Sequence, residues 1–177
     1  RADLERVRAE SAVNYAGVRR LKHLVLRRAY ERFRDTELRT GSDRARAFRE
    51  FTEEEAWWLA DYALFRALHE RMRPQPWTEW PEGLRTHQPV ALAAARAELA
   101  DDVRYREYLQ WLASAQWHAA RAAAEPVALF GDLPFMVALD SADVWSRQHE
   151  FRLDASLGVP PDAFSETGQD WKLPVYK

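Results

Sequence analysis

The sequence predicts a predominantly α chain that passes, near its end, into one or two strands of a parallel α/β fold. Three observations carry this expectation. Apolar residues recur every three or four positions through residues 12–34 and again beyond Thr52. After Pro89, neither proline nor glycine interrupts the chain as far as Ala124. The fully apolar run Val127-Ala128-Leu129-Phe130 then closes on Gly131-Asp132, the pattern of a buried strand in a parallel sheet.

The elements follow in order. Tyr15, Val18, Leu21, Val25, Ala29 and Phe33 form one stripe with charges between them, which predicts an amphipathic helix. Gly41-Ser42-Asp43 breaks it, and Asp43 is the expected N-cap of a short helix through Phe51. Thr52 followed by Glu53, Glu54 and Glu55 marks the next start, because carboxylates favour the positive end of a helix dipole. That helix is expected to run to Arg71 with Trp58, Tyr62, Phe65 and Leu68 on one side. Pro74, Pro76, Pro81 and Gly83 form a connector containing Trp77 and Trp80. If continuous, a helix over 89–124 spans about 50 Å. Its aromatic residues Tyr105, Tyr108, Trp111 and Trp117 do not share one stripe, so it should support several neighbours. Ser141 is placed to cap a short helix over 141–148. The expected organisation is a helical part, 1–124, followed by a strand and loop part, 125–177, with no repeat or low-complexity segment.

Composition narrows the function classes. A chain of 177 residues can bury a substantial core. The formal net charge of -2, with arginines alternating with acidic residues as on a solvated helix face, argues against a nucleic-acid partner. The absence of cysteine leaves no disulfide framework or thiolate metal site and fits a reducing cytoplasm. No apolar run approaches the roughly eighteen residues of a membrane span. His23, His69, His87, His118 and His149 lack ligand spacing, so no metal and no cofactor are expected. The helical pattern already under way at Arg1, and the stop at Lys177, suggest part of a longer protein. Oligomeric state is not legible.

Two runs, 131–145 and 158–171, keep neither a helical nor a strand period, yet set carboxylates, amides and indoles beside glycines and prolines. That is the composition of a sugar-binding surface. Asp132 is either a turn residue after Gly131 or, at the carboxyl end of a strand, a ligand contact. Asp140, Asp143 and Glu150 have no EF-hand spacing; Asp140-Ser141 reads as a helix start and Trp145 as a packing anchor. In the second run Pro160-Pro161 stiffens the entry and Gly168 permits a positive φ. Asp162, Glu166 and Gln169 offer partners for hydroxyls, and Phe164 and Trp171 offer apolar faces for pyranose rings; the bland alternative is a connector with both aromatics in the core.

Together the Gly131-Asp132-Leu133-Pro134 segment and the near-complete match over 158–171 resemble the amylomaltase (4-alpha-glucanotransferase) family of glycoside hydrolases. Asp61 to Leu68, Trp77 to Pro81 and Tyr108 to Leu112 also fit that family. The resemblance implies a (β/α)8 barrel decorated by a helical insertion, cofactor-free transfer of alpha-1,4-glucan segments, and alpha-1,4-glucans or maltooligosaccharides as partners. It implies that Asp132 faces the donor-site sugar, and that Asp162, Phe164, Gln169 and Trp171 belong to a loop covering the glucan groove. The family's nucleophile and acid/base lie downstream of such a loop, so no catalytic residue is expected here. Arg152-Leu153-Asp154 imitates the nucleophile pattern, but the polar residues 146–150 before it and the missing histidine after it set Asp154 aside. Lys172 departs from the glycine usual in the family. A noncatalytic helical interaction domain would explain residues 1–124 and leave both runs without a purpose.

Overall fold

The computed structural model describes residues 2–177, and helices dominate it. Helix α1 covers Ala2–Ala9 and α2 covers Tyr15–Arg32, continued by a π-helical segment, Phe33–Leu38. Asn14 starts α2 by accepting the Gly17 amide at 2.8 Å. Tyr15 and Val25 of the expected stripe are exposed, whereas Tyr30 and Phe33 are buried. Tyr30 and Phe33 at the carboxyl end of α2 meet the aromatic face of a later helix, with Leu26 packed beside them, whereas neighbouring Val25 points away from that cluster.

Helix α3 spans Asp43–Glu54 and α4 spans Ala56–Arg71. Ser42, not Asp43, caps α3, its hydroxyl accepting the Ala45 amide at 3.2 Å. Thr52 lies inside α3 with its hydroxyl on the Arg49 carbonyl, and the break falls at Glu55. Helices α5 (Glu82–Arg85), α6 (Pro89–Glu98) and α7 (Ala100–Ala124) follow. The single helix expected over 89–124 is therefore two, turned at Leu99, whose φ and ψ are -101 and 21. The turn brings Leu92, Ala95, Leu99 and Val103 into one core with α4. The 25 residues of α7 reach about 37 Å.

Two buried clusters hold the helices. One joins Tyr30, Phe33 and Phe48 to Tyr105 and Tyr108, with ring centroids 5.0 Å apart for Phe33 on Tyr108 and 5.4 Å apart for Tyr30 on Tyr105. At its edge the Tyr30 hydroxyl donates to Asp101 Oδ1 at 2.8 Å, and Arg27 and Arg34 bind the same carboxylate at 3.1 Å. The larger cluster gathers Leu64, Phe65, Leu68, Trp77 and Trp80 around Trp145 and Phe151.

That cluster anchors helix α8, Ala142–Ser146, capped by Ser141 as expected. The Trp145 indole is fully buried and donates to the Leu84 carbonyl at 2.8 Å. Asp140 is pinned twice, by the Trp77 amide at 3.2 Å and His69 Nε2 at 2.8 Å.

The sheet differs from expectation. It has two strands, β1 (Phe151–Val159) and β2 (Gln169–Tyr176), and they pair antiparallel. Val127–Phe130 forms no strand, and Phe130 is fully exposed. A parallel strand needs a neighbour reached through a crossover, and none of the described residues pairs with this run. Among the described residues, no helix is long and apolar enough to cross a membrane.

Candidate functional site

The segment 158–171 is the end of a β-hairpin, with a connecting loop of residues 160–168. Val159 pairs with Gln169, Gly158 with Asp170 and Phe151 with Tyr176; the register slips between Arg152 and Ser156 and again at Leu157 and Gly158. Strand approach requires glycine at 158, because a Cβ there would lie 2.1 Å from the Gln169 carbonyl oxygen. Gly168 has φ +71, and its Cβ would fall 2.5 Å from the Val159 oxygen.

The loop is tied by its own polar groups. Asp162 Oδ1 accepts the amides of Phe164 and Ser165, each at 2.8 Å, and its own amide donates to the Ser165 carbonyl at 2.9 Å. Ser165 closes the other side through its hydroxyl, 2.8 Å from the Gly168 carbonyl. These bonds thrust Phe164 into solvent, 96% exposed. Trp171, 42% exposed, donates its indole N–H to Gln169 Oε1 at 3.1 Å. Gln169 and Trp171 thus form one unit, with the Gln169 amide group left to donate.

Sequence reasoning missed what locks this register. Asp170 accepts the Lys172 amide at 2.9 Å and the Lys172 ammonium at 2.5 Å, and it also accepts the Ser156 hydroxyl across the strands. The Lys172 ammonium first, then the Ser156 hydroxyl, hold the Asp170 carboxyl well below the usual carboxylate range. Lys172 itself has φ 57, in the region that favours glycine. The unusual lysine is the signal that pointed there.

Of the expected site residues, Asp162, Phe164, Gln169 and Trp171 share the hairpin end. Asp132 stands apart, exposed and without a hydrogen bond or ion pair among the described residues. Asp154 lies on β1, paired with Arg152 at 3.2 Å, and that guanidinium lowers its pKa. An open groove of about 340 Å3 follows the hairpin base between Leu139 and residues Asp154, Ser156 and Lys172. No group of three or more His, Cys, Asp or Glu side chains among the described residues is arranged for a metal ion.

The family model described as 4-alpha-glucanotransferase matches residues 1–177. The chain belongs to the 4-alpha-glucanotransferase family. It is 43% identical over 155 residues to the 4-alpha-glucanotransferase of Thermus thermophilus, covering 83% of this chain and 31% of that protein. The Synechocystis 4-alpha-glucanotransferase is 39% identical over 173 residues, covering 93% and 34%. Among solved structures, amylomaltase from Streptococcus agalactiae in complex with acarbose superposes with a TM-score of 0.81 at 31% identity, over 93% of this chain and 34% of that one. The chain spans about a third of the length of these 4-alpha-glucanotransferases.

Proposed function

We propose that the chain supplies substrate-positioning groups of a cytoplasmic 4-alpha-glucanotransferase, whose helices decorate a (β/α)8 barrel and whose hairpin covers an alpha-1,4-glucan groove. What supports this most is the hairpin end in a chain matched by that family along its whole length: an outward Phe164 face and a Trp171 indole oriented by Gln169. Pyranose rings stack on such faces, and the free Gln169 N–H groups suit sugar hydroxyls. Asp132 and the second oxygen of Asp162 are the proposed carboxylate contacts. In the whole enzyme, one carboxylate would attack the anomeric carbon while a second carboxyl protonates the leaving oxygen; that second group, now a carboxylate, would then take the proton of an acceptor sugar hydroxyl as its oxygen displaces the enzyme carboxylate. Excluding water from that second step is the role given to the hairpin.

The test uses the full-length protein. Trp171→Ala and Gln169→Ala are compared for KM, kcat and the ratio of free glucose to transferred glucan on maltotriose. Because the two side chains are hydrogen-bonded, their effects should be non-additive, with a coupling of about 0.5 kcal/mol or more in the double mutant. Unchanged kinetics and an unchanged ratio in both variants would falsify the groove assignment.

A further inference from the structure

One surface has no part in the glucan reading. Helices α2, α4 and α7 enclose an open cleft of about 380 Å3. Arg19 and Arg20 enter from α2, Arg66 and Arg73 from the α4 side, and Arg106 from α7; Glu70 is the only lining carboxylate. This concentration of positive charge sits in a chain whose formal net charge is -2.

The single carboxylate does not satisfy the arginines. Glu70 lies 3.2 Å from Arg73 but 3.9 Å from Arg106, too far for a hydrogen bond. Arg19, Arg20 and Arg66 make no ion pair or hydrogen bond among the described residues. The Arg106 side chain is only 13% exposed, and its Nε is buried without a partner. Burial first, then the neighbouring Arg66 charge, lower the Arg106 pKa. A guanidinium held out of water beside a like charge, with a donor unused, is costly unless an anion completes it. Planar guanidinium forks match the oxygens of a phosphoryl group, which accepts from several arginines at once. The space holds on the order of ten water-sized groups, which suits a small molecule and not a polymer.

We propose that this cleft binds a small phosphorylated ligand, with Arg66 and Arg106 on the phosphoryl oxygens and Arg19 and Arg73 at the rim. The full-length protein is titrated calorimetrically with inorganic phosphate and with glucose 6-phosphate, using sodium chloride at matched ionic strength as the control for screening. Saturable binding of both with equal affinity shows that the phosphoryl group alone is read. Tighter binding of glucose 6-phosphate assigns a sugar phosphate. Arg66→Gln and Arg19→Gln should each weaken binding about tenfold, the loss of one charged hydrogen bond. Arg106→Gln should abolish the phosphate-induced rise in Tm, because it removes the guanidinium whose Nε is buried without a partner. Arg19 is exposed, so its variant tests binding without threatening the fold. Absence of saturable binding, or binding unchanged in both Arg66→Gln and Arg19→Gln, overturns the proposal.

Discussion

Adding one methyl group at Gly158 should disable the hairpin without unfolding the protein. The added Cβ of Gly158→Ala would sit 2.1 Å from the Gln169 carbonyl oxygen. Comfortable carbon–oxygen contacts in sheets are about 3.3 Å or longer, so β2 must retreat by about 1 Å at the point where Gln169 and Trp171 begin. If the hairpin borders the proposed glucan groove, a displacement of that size costs on the order of a hundredfold in rate. The hairpin is exposed over most of its length, so global stability should fall by much less than that functional loss implies. Gly131→Ala is the control, since its Cβ would meet nothing within 4 Å. The assay is kcat for glucan transfer, with Tm measured on the same preparations of the full-length protein. Wild-type transfer in Gly158→Ala, or an equal loss in Gly131→Ala, would refute the claim that strand spacing at 158 sets the position of the loop.

Two further perturbations address the supports of the hairpin. Trp145→Ala removes the largest fully buried side chain and its bond to Leu84, and should cost about 3 to 5 kcal/mol by urea unfolding; a loss under about 1 kcal/mol contradicts the anchoring role. Because the folded pKa of Asp170 is lowered, its contribution is present above the ordinary carboxylate pKa and is lost as pH falls through the folded value. Protection factors of the β2 amides, corrected for the intrinsic pH dependence of exchange, should therefore fall on acidification in the wild type but change less in Asp170→Asn, and identical profiles would reject the lock.

The legible features were those whose chemistry is local. Ser141 announced a helix because a cap needs only its own next few amides, and Trp145 announced an anchor through its bulk. The α3 cap was misread by one position because Ser42 and Asp43 are both capable caps, and only the backbone decides between them. The hairpin was legible but overlooked: Phe151, Leu153, Ala155, Leu157 and Val159 alternate with polar or small residues along β1, and Trp171, Leu173 and Val175 hold the same period along β2, but Gly158 and Pro174 read instead as loop residues. Val127–Phe130 misled for a different reason: apolarity signals a demand for burial, whereas a strand also needs a paired backbone. At the candidate site, side-chain types were readable, but the Trp171 to Gln169 bond was not, since i and i+2 residues meet only once the chain is extended.

The hairpin also has the mechanics of a cantilever. Its root is clamped where Phe151 enters the core, Lys177 donates to the Glu150 carbonyl at 2.9 Å and Asp140 is pinned by Trp77 and His69. Its free end is stiffened by Pro160-Pro161 and the Asp162 turn. Nine residues of β1 at about 3.3 Å each give an arm of about 30 Å. A rotation of about 5° at the root then carries Phe164 through about 3 Å, roughly the step from contact to clearance for a sugar ring. Core residues such as Phe65 and Trp80, which pack with Trp145 and Phe151 at that root, therefore hold angular leverage over the position of the proposed substrate loop.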